Sequence, residues 1–282
     1  MTAVIVASAR AIASSTQAAS CDPGDRMARE LLPGPVRAAV DLVTRSEPHA
    51  RWLPRAVSVA TLGMLDHLAL RARAIDEALY AALDRGIKQV VILGAGLDTR
   101  SYRIAALAGA RVFEVDHPDS QAQKRARVDR LQPMAAEVIH VPVDFVRDAL
   151  GPALRQHGHD PSVPTFWIWE GVVPYLREPA IESTLRVISE LSAAGSELAV
   201  TYVTRGLFWM RGDRKLVTYA MHLIGEPVHS ALDPEHMAQL LTAAGLSVTS
   251  DTGTRNWQER FARPGAQRRV VTYEHLALAV RR

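Results

Sequence analysis

The sequence predicts an α/β fold: a mostly parallel sheet covered by helices on both faces, with a helical cap before it and a helical lid inserted late in the chain. Three observations carry that expectation. Short apolar runs rich in Val, Ile and aromatic residues, at 90–93, 111–115, 137–141, 165–169 and 197–202, alternate with amphipathic stretches at 102–108, 120–131, 148–157 and 179–193. Strand and helix in alternation is the pattern of parallel strands joined by helical crossovers. The first run breaks on a glycine turn, VVILGAGLDTR, and acidic residues close the next three runs, at the edge where parallel sheets bind ligands.

Before residue 86 the apolar spacing is helical, with helices expected at 25–32, 36–44, 57–70 and 71–83 and Pro or Gly at the joints. The opening MTAVIVASARAIASS lacks a basic leader region and is interrupted by Arg10, so it reads as a loosely ordered or capping segment. After the fifth run the alternation stalls. VTRGLFWMRGDRKLVTYAMHLIGEPVHS is too long for a connection and too aromatic for a plain loop, which suggests a lid inserted at about 204–230 over the sheet's carboxyl edge. Its Leu207, Phe208, Trp209, Met210, Tyr219 and Met221 either line a pocket for a flat apolar molecule or pack the insertion onto the core. A helix at 234–244 follows, with Asp233 as N-cap and Gly245 as C-cap, and runs at 246–250 and 270–277 complete seven strands. The organisation is a cap over 1–86 and a core over 87–282.

Bulk composition narrows the function. The chain has 282 residues, 33 Lys and Arg against 30 Asp and Glu, and a net charge of +3, so it is almost balanced. The densest basic clusters, at 71–73 and 124–130, are short, which argues against nucleic acid as a partner. The single cysteine, Cys21, excludes an intrachain disulfide and a cysteine metal cage and fits a reducing compartment. No apolar stretch approaches the ~18 residues of a membrane span. A cytoplasmic protein acting on a small molecule is expected.

Gly94, Ala95 and Gly96 allow a tight turn and close approach of a ligand. The third small residue of a dinucleotide fingerprint is replaced by Thr99, which weakens a nicotinamide reading. The second run ends in Glu114 and Asp116, either of which suits a ribose diol. The third ends in Asp144 and Phe145, an acceptor beside an aromatic, which suits an adenine. The fourth ends in Glu170 and Gly171. The ligand implied has hydroxyls and a cationic amine but no triphosphate, since no Walker Lys-Ser/Thr pair is present. His157-Gly158-His159-Asp160 falls in a loop away from this edge and reads as solvated, with no metal expected.

These residues carry a resemblance. VVILGAGLDTRSYRI, FEVDHPDSQAQK, VPVDF and WEGVVPYL, in that order, resemble the leucine carboxyl methyltransferase family, in particular its bacterial branch of S-adenosylmethionine-dependent O-methyltransferases of polyketides and other natural products. LALRARAIDEAL resembles its arginine-bearing helix, DPGDRMARELL its N-terminal cap and GEPVHSALDPEHMAQLLTAAGLSV its return to the core. Two departures stand out: Ser101 after the arginine of the glycine loop, and Gly24-Asp25 after Asp22-Pro23.

The resemblance implies a class I methyltransferase (Rossmann-like) sheet of seven strands, the last antiparallel, with a helical lid. It implies S-adenosyl-L-methionine as cofactor: Gly94, Ala95 and Gly96 along its methionine part, Asp116 or Glu114 at the ribose, Asp144 and Phe145 at the adenine, and Glu170 at the ammonium. Arg71 or Arg73 would take its carboxylate. They lie about 200° apart on a helix, so only one can face the pocket, and the family pattern favours Arg71. A carboxylate acceptor is ionised at neutral pH and needs no base, only groups to hold it. Arg100, Arg103 and Tyr175 are the candidates. A phenol would call for a base such as His117 or His222. A non-catalytic cofactor binder and a nicotinamide dehydrogenase are the competing readings.

Overall fold

The computed structural model describes residues 2–15, 25–45, 64–145, 147–205, 228–261 and 273–282. Within them the apolar runs become β1 (Gln89–Leu93), β2 (Arg111–Asp116), β3 (Glu137–Pro142), β4 (Thr165–Trp169), β5 (Glu197–Val203), β6 (Leu246–Gly253) and β7 (Glu274–Arg281). They form one sheet in the order β3-β2-β1-β4-β5-β7-β6. The first five strands pair in parallel, and β7 runs antiparallel to both β5 and β6. The sheet grows one way from β1 through β2 to β3 and the other way from β4, so the switch point lies between β1 and β4. Both of these strands are buried at every residue, as expected of interior strands covered on both faces.

The helices are α1 (Thr2–Ser15), α2 (Gly34–Arg45), α3 (Met64–Asp84), α4 (Arg100–Arg103), α5 (Pro118–Val128), α6 (Leu150–Gln156), α7 (Glu178–Glu190), α8 (Pro234–Ala243) and α9 (Thr254–Phe261), with 3-10 turns at Arg26–Leu31, Ala105–Gly109 and Val173–Tyr175. Alternate strand residues feed two apolar layers. Val91, Leu93, Phe113 and Trp167 pack with Leu185 of α7 and Met237 of α8. Val90, Ile92, Phe166 and Ile168 pack with Leu70, Ile75 and Leu79 of α3. A third cluster, including Ala7, Ala11, Leu31, Leu97 and Tyr102, seats α1 and the first 3-10 turn against the glycine loop.

Several expectations need correction. The opening segment is a helix, and its Ala7, Ala9 and Ala11 are buried. The expected break between residues 70 and 71 is absent: α3 is continuous, and nothing between Met64 and Asp84 is Gly or Pro. The stretch 102–108 is one helical turn followed by a 3-10 turn. Strand β7 extends to Arg281, because its antiparallel register with β5 runs from Val203↔Glu274 to Glu197↔Val280. Asp233 precedes α8 but makes no capping bond; its carboxylate lies 3.2 Å from Arg205 Nε. Gly245 closes the helix as expected, with φ +76° and its N–H donating to Thr242 O at 2.9 Å. His159 is buried, not solvated: its ring packs against Phe113 and Trp167, with Nε2 3.1 Å from Gln89 Nε2. Burial pushes its pKa down to about 4, so it sits neutral at the amino end of the sheet. The lid residues Leu207, Phe208, Trp209, Met210, Tyr219 and Met221, together with His222, lie outside the described residues. Among the described residues, no helix is long and apolar enough to cross a membrane.

Candidate functional site

A cavity of about 580 Å³ opens where β1, β2 and β4 end, at the switch point. Its floor is the glycine turn. Gly94 (φ +70°) and Ala95 both donate their N–H to Val115 O at 2.9 Å, which draws the loop tightly against β2. A Cβ on Gly94 would sit 2.6 Å from Val172 Cγ2, so only glycine lets the loops after β1 and β4 meet. Gly96 (φ +42°) donates its N–H to Asp116 Oδ2, while Asp116 Oδ1 accepts the N–H of His117 at 2.6 Å. Asp116 is thereby fixed on the cavity wall, with lone pairs remaining for hydroxyl donors.

The opposite wall is charged. Arg71 of α3 reaches across with Nε 2.9 Å from Glu170 Oε1, and its Nη1 lies 3.0 and 3.1 Å from the two oxygens of Glu274. Glu170 Oε2 accepts from Arg100 Nη1 at 2.8 Å. Burial alone pushes the Glu170 carboxyl up, but the Arg100 and Arg71 guanidiniums outweigh it and hold it at about 2. Burial alone would lower Arg71, yet Glu274 and Glu170 drive it above its ordinary value, so the pair is fully ionised. Arg73 points elsewhere, its guanidinium 5.4 Å from the Phe261 ring centroid.

Gly94, Ala95, Gly96, Arg71, Asp116, Glu170 and Tyr175 thus share one cavity. Other expected residues do not. Arg100 is fully buried behind the wall, bonded to Asp76 (2.7 Å), Asp98 and Glu170, and cannot touch an acceptor; its place is to hold Glu170. Arg103 is likewise engaged, with Nη2 2.7 Å from Asp76 Oδ2. Glu114 is 1% exposed and pairs with Lys124 at 2.7 Å, away from the cavity, whereas Asp116 lines it. Ser101 explains one departure from the resembled motif, its hydroxyl donating to Glu114 at 2.7 Å. Asp144 and Phe145 lie one strand further out, off the cavity wall. Asp144 Oδ2 is 4.0 Å from His117 Nε2, and Phe145 is 41% exposed.

Sequence reasoning missed the contribution of α1. Ala3, Val6 and Arg10, spaced along one helical face, line the cavity beside the glycine turn, with Ala3 Cβ 3.2 Å from where a Cβ on Gly96 would sit. Arg10 Nη2 donates to Leu97 O at 2.7 Å and Nη1 lies 3.4 Å from Asp25, while Nε is buried with no hydrogen-bond partner among the described residues. Asp25 accounts for the second departure: buried, it caps its own 3-10 turn through Ala28 N–H (3.0 Å) and accepts from Thr99 Oγ1 at 2.6 Å. The signal available was the charge of Arg10 within an apolar run. His229 also lines the cavity, as Tyr175 does, and Glu274 stands behind Arg71. Guanidiniums, a buried carboxylate and an acid beside a glycine turn suit a zwitterionic amino-acid group joined to a ribose.

Comparison with known proteins places the chain in a family and a fold. The family model described as leucine carboxyl methyltransferase matches residues 3–189. A Mycolicibacterium gilvum protein, provisionally named an S-adenosyl-L-methionine-dependent methyltransferase, is 34% identical over 279 residues, covering 94% of this chain and 86% of its own. A Frankia alni protein of the same provisional name is 40% identical over 165 residues, 58% of this chain. The chain spans about half the length of some of these relatives, 54% for the Frankia protein and 48% for one from Mycolicibacterium vanbaalenii. Among crystal structures, a DUF574-family protein from Streptomyces avermitilis superposes with a TM-score of 0.59 at 15% identity, covering 86% of this chain and 95% of its own. A provisionally assigned methyltransferase from Thermobifida fusca gives 0.55 at 16% identity, covering 97% and 94%. The fold is that of the class I methyltransferases, and the chain belongs to the leucine carboxyl methyltransferase family.

Proposed function

We propose that the protein is a cytoplasmic S-adenosylmethionine-dependent O-methyltransferase acting on a small natural product such as a polyketide, with a carboxylate as the preferred acceptor. The observation that carries this reading is the Arg71–Glu170 pair, set beside the glycine turn and Asp116 around one cavity. The chemistry of that donor set fits the cofactor. Arg71 and Arg10 would hold its carboxylate, Glu170 its ammonium and Asp116 its ribose, with Asp144 and Phe145 at the adenine. Arg10 Nε, buried without a partner among the described residues, is satisfied by such an anion. When bound, the cofactor supplies a methyl group on a positively charged sulfur.

What the chain adds is position and exclusion of water. Ala3 and Val6 of helix α1, Val172, Tyr175 and His229 all line the cavity, and in this reading Tyr175 and His229 face the acceptor. Residues 1–86 act as cap and 204–230 as lid in this reading. A carboxylate needs no proton removed before it reacts. A phenolic hydroxyl is the second reading, favoured by His229, an imidazole on the cavity wall able to take its proton.

Calorimetric titration with S-adenosylhomocysteine tests the cofactor assignment, with NADH as the contrasting ligand. Micromolar binding of the first and none of the second is expected. NADH binding without S-adenosylhomocysteine binding would return the site to a dehydrogenase. Turnover of aromatic carboxylic acids against phenols then separates the two acceptor classes.

A further inference from the structure

Arg71 is divided between two carboxylates that stand in different places. Glu170 is on the cavity wall; Glu274, the first residue of β7, is buried behind it. The grip of Glu274 is the more extensive, both oxygens lying within 3.1 Å of Nη1. Glu274 is itself held. His67, four residues before Arg71 on α3 and 1% exposed, engages Glu274 Oε2 through Nε2. Its Nδ1 lies 3.0 Å from the Thr254 hydroxyl at the start of α9. Thr254 Oγ1 is also 3.3 Å from the backbone oxygen of Glu274. Helix α3 thus meets the Glu274 carboxylate of β7 through His67 and Arg71, α9 supports it through His67 and the Glu274 backbone, and Glu274 reaches the cavity only through Arg71.

That arrangement has a consequence for any zwitterion entering the site. Glu170 spends one oxygen on Arg71 and the other on Arg100. An incoming ammonium competes for those oxygens, and an incoming carboxylate competes with Glu170 for Arg71. Arg71 can loosen its hold on Glu170 and stay on the wall only if something else fixes it. Its Nη2 already lies over Gly171, where an added Cβ would be 3.5 Å away.

The geometry points to Glu274, oriented by His67, as a positioning residue for the amino-acid end of the ligand. It keeps Arg71 on the cavity wall for a carboxylate and leaves Glu170 available to an ammonium. The inference rests on the cofactor proposed above.

The test compares S-adenosylhomocysteine with 5′-methylthioadenosine, which keeps the adenosine and the thioether but lacks the amino-acid group. In wild type the first should bind more tightly. Glu274→Gln should weaken S-adenosylhomocysteine about tenfold, the worth of one charge-assisted hydrogen bond, and leave methylthioadenosine within about twofold. His67→Ala should act in the same direction, and His67→Gln, which keeps a side-chain N–H donor, should recover most of the loss. Should Glu274→Gln prove too unstable to titrate, His67→Ala carries the same comparison with the Arg71–Glu274 pair still in place. Equal weakening of both ligands would mark Glu274 as merely structural and overturn the inference, as would unchanged or tighter S-adenosylhomocysteine binding. Wild type binding both ligands equally would overturn it while leaving the adenosine site standing. Wild type binding neither would remove the cofactor assignment itself.

Discussion

Arg71 and Glu170 meet across the switch point with Nε 2.9 Å from Oε1, although 99 residues separate them in the chain. One comes from the middle of α3 and the other from the residue after β4, so the pair reports directly on whether the sheet is correctly assembled. It also makes the charge of the site a property of two partners. Glu170→Ala should weaken S-adenosylhomocysteine about tenfold in calorimetry, and Arg71→Ala by at least as much. Arg73→Ala, two residues on but packed over Phe261, should change binding by less than about twofold. Equal effects of the two arginine variants would contradict the assignment of Arg71 to the cavity.

The adenine assignment separates from the amino-acid assignment by ligand. Asp144→Ala should weaken S-adenosylhomocysteine and methylthioadenosine alike, each about tenfold, because both carry adenine. Glu170→Ala should spare the second ligand. Asp144 lies off the cavity wall, so unchanged binding of both ligands by Asp144→Ala would move the adenine elsewhere along the edge.

Much of this arrangement was legible in the sequence, for physical reasons that also explain the failures. After their first residues, Gln89 and Thr165, β1 and β4 are apolar because interior strands are covered on both faces, so their ends, and with them Gly94, Gly96 and Glu170, could be placed by counting. Glu114 and Asp116 lie two apart and share a strand face. The register pairs Glu114 with Ile92 inside the sheet, whereas Asp116 falls beyond the last residue of β1. Only pairing reveals that difference. Arg100 follows the glycine loop closely enough to suggest a site residue, but its direction is set by Asp76 on α3, which local sequence does not encode. Glu274 comes within reach of Arg71 through the placement of β7 beside β5 in the sheet, which local sequence does not encode.

Acid should weaken the fold through the same carboxylates. Burial pushes Glu170 and Glu274 up, but Arg100 and Arg71 for the first, and Arg71 and His67 for the second, hold both at about 2 against an ordinary 4.5. A carboxyl depressed in the fold contributes its stability fully above the unfolded value and loses it as pH falls towards the folded one. The window therefore runs from about 4.5 down to about 2. Within it each group adds a slope of up to ~1.4 kcal/mol per pH unit. Urea unfolding from about pH 5 to about pH 3 should show a steeper loss in wild type than in Glu274→Gln, by close to one proton. Parallel slopes would mean that Glu274 is not held as the structure shows.

Gly94 carries a stability prediction independent of ligand. Its φ of +70° and the 2.6 Å approach of Val172 Cγ2 to an added Cβ make Gly94→Ala doubly unfavourable. A loss of ~1–3 kcal/mol is expected, read as a lower thermal midpoint. Val172→Ala should recover part of it by removing the clash, leaving the cost of the backbone. Gly109→Ala serves as control, since among the described residues nothing lies within 4 Å of its added Cβ. A silent Gly94→Ala would mean that the two loops are not in contact.

Arg10 decides whether α1 belongs to the binding site or only to its scaffold. Its bond to Leu97 O and its approach to Asp25 pin the helix, which by itself predicts a lower thermal midpoint for Arg10→Ala. The Nε, buried with no partner among the described residues, adds something that scaffolding does not explain, because a guanidinium nitrogen left so is costly until an acceptor reaches it. If a ligand carboxylate is that acceptor, Arg10→Ala should weaken S-adenosylhomocysteine about tenfold and leave methylthioadenosine nearly unchanged. If Arg10 serves only to hold α1, the two ligands should weaken together as the wall formed by Ala3 and Val6 loosens. The ratio of the two affinities, measured on one variant, separates these roles whatever happens to the midpoint.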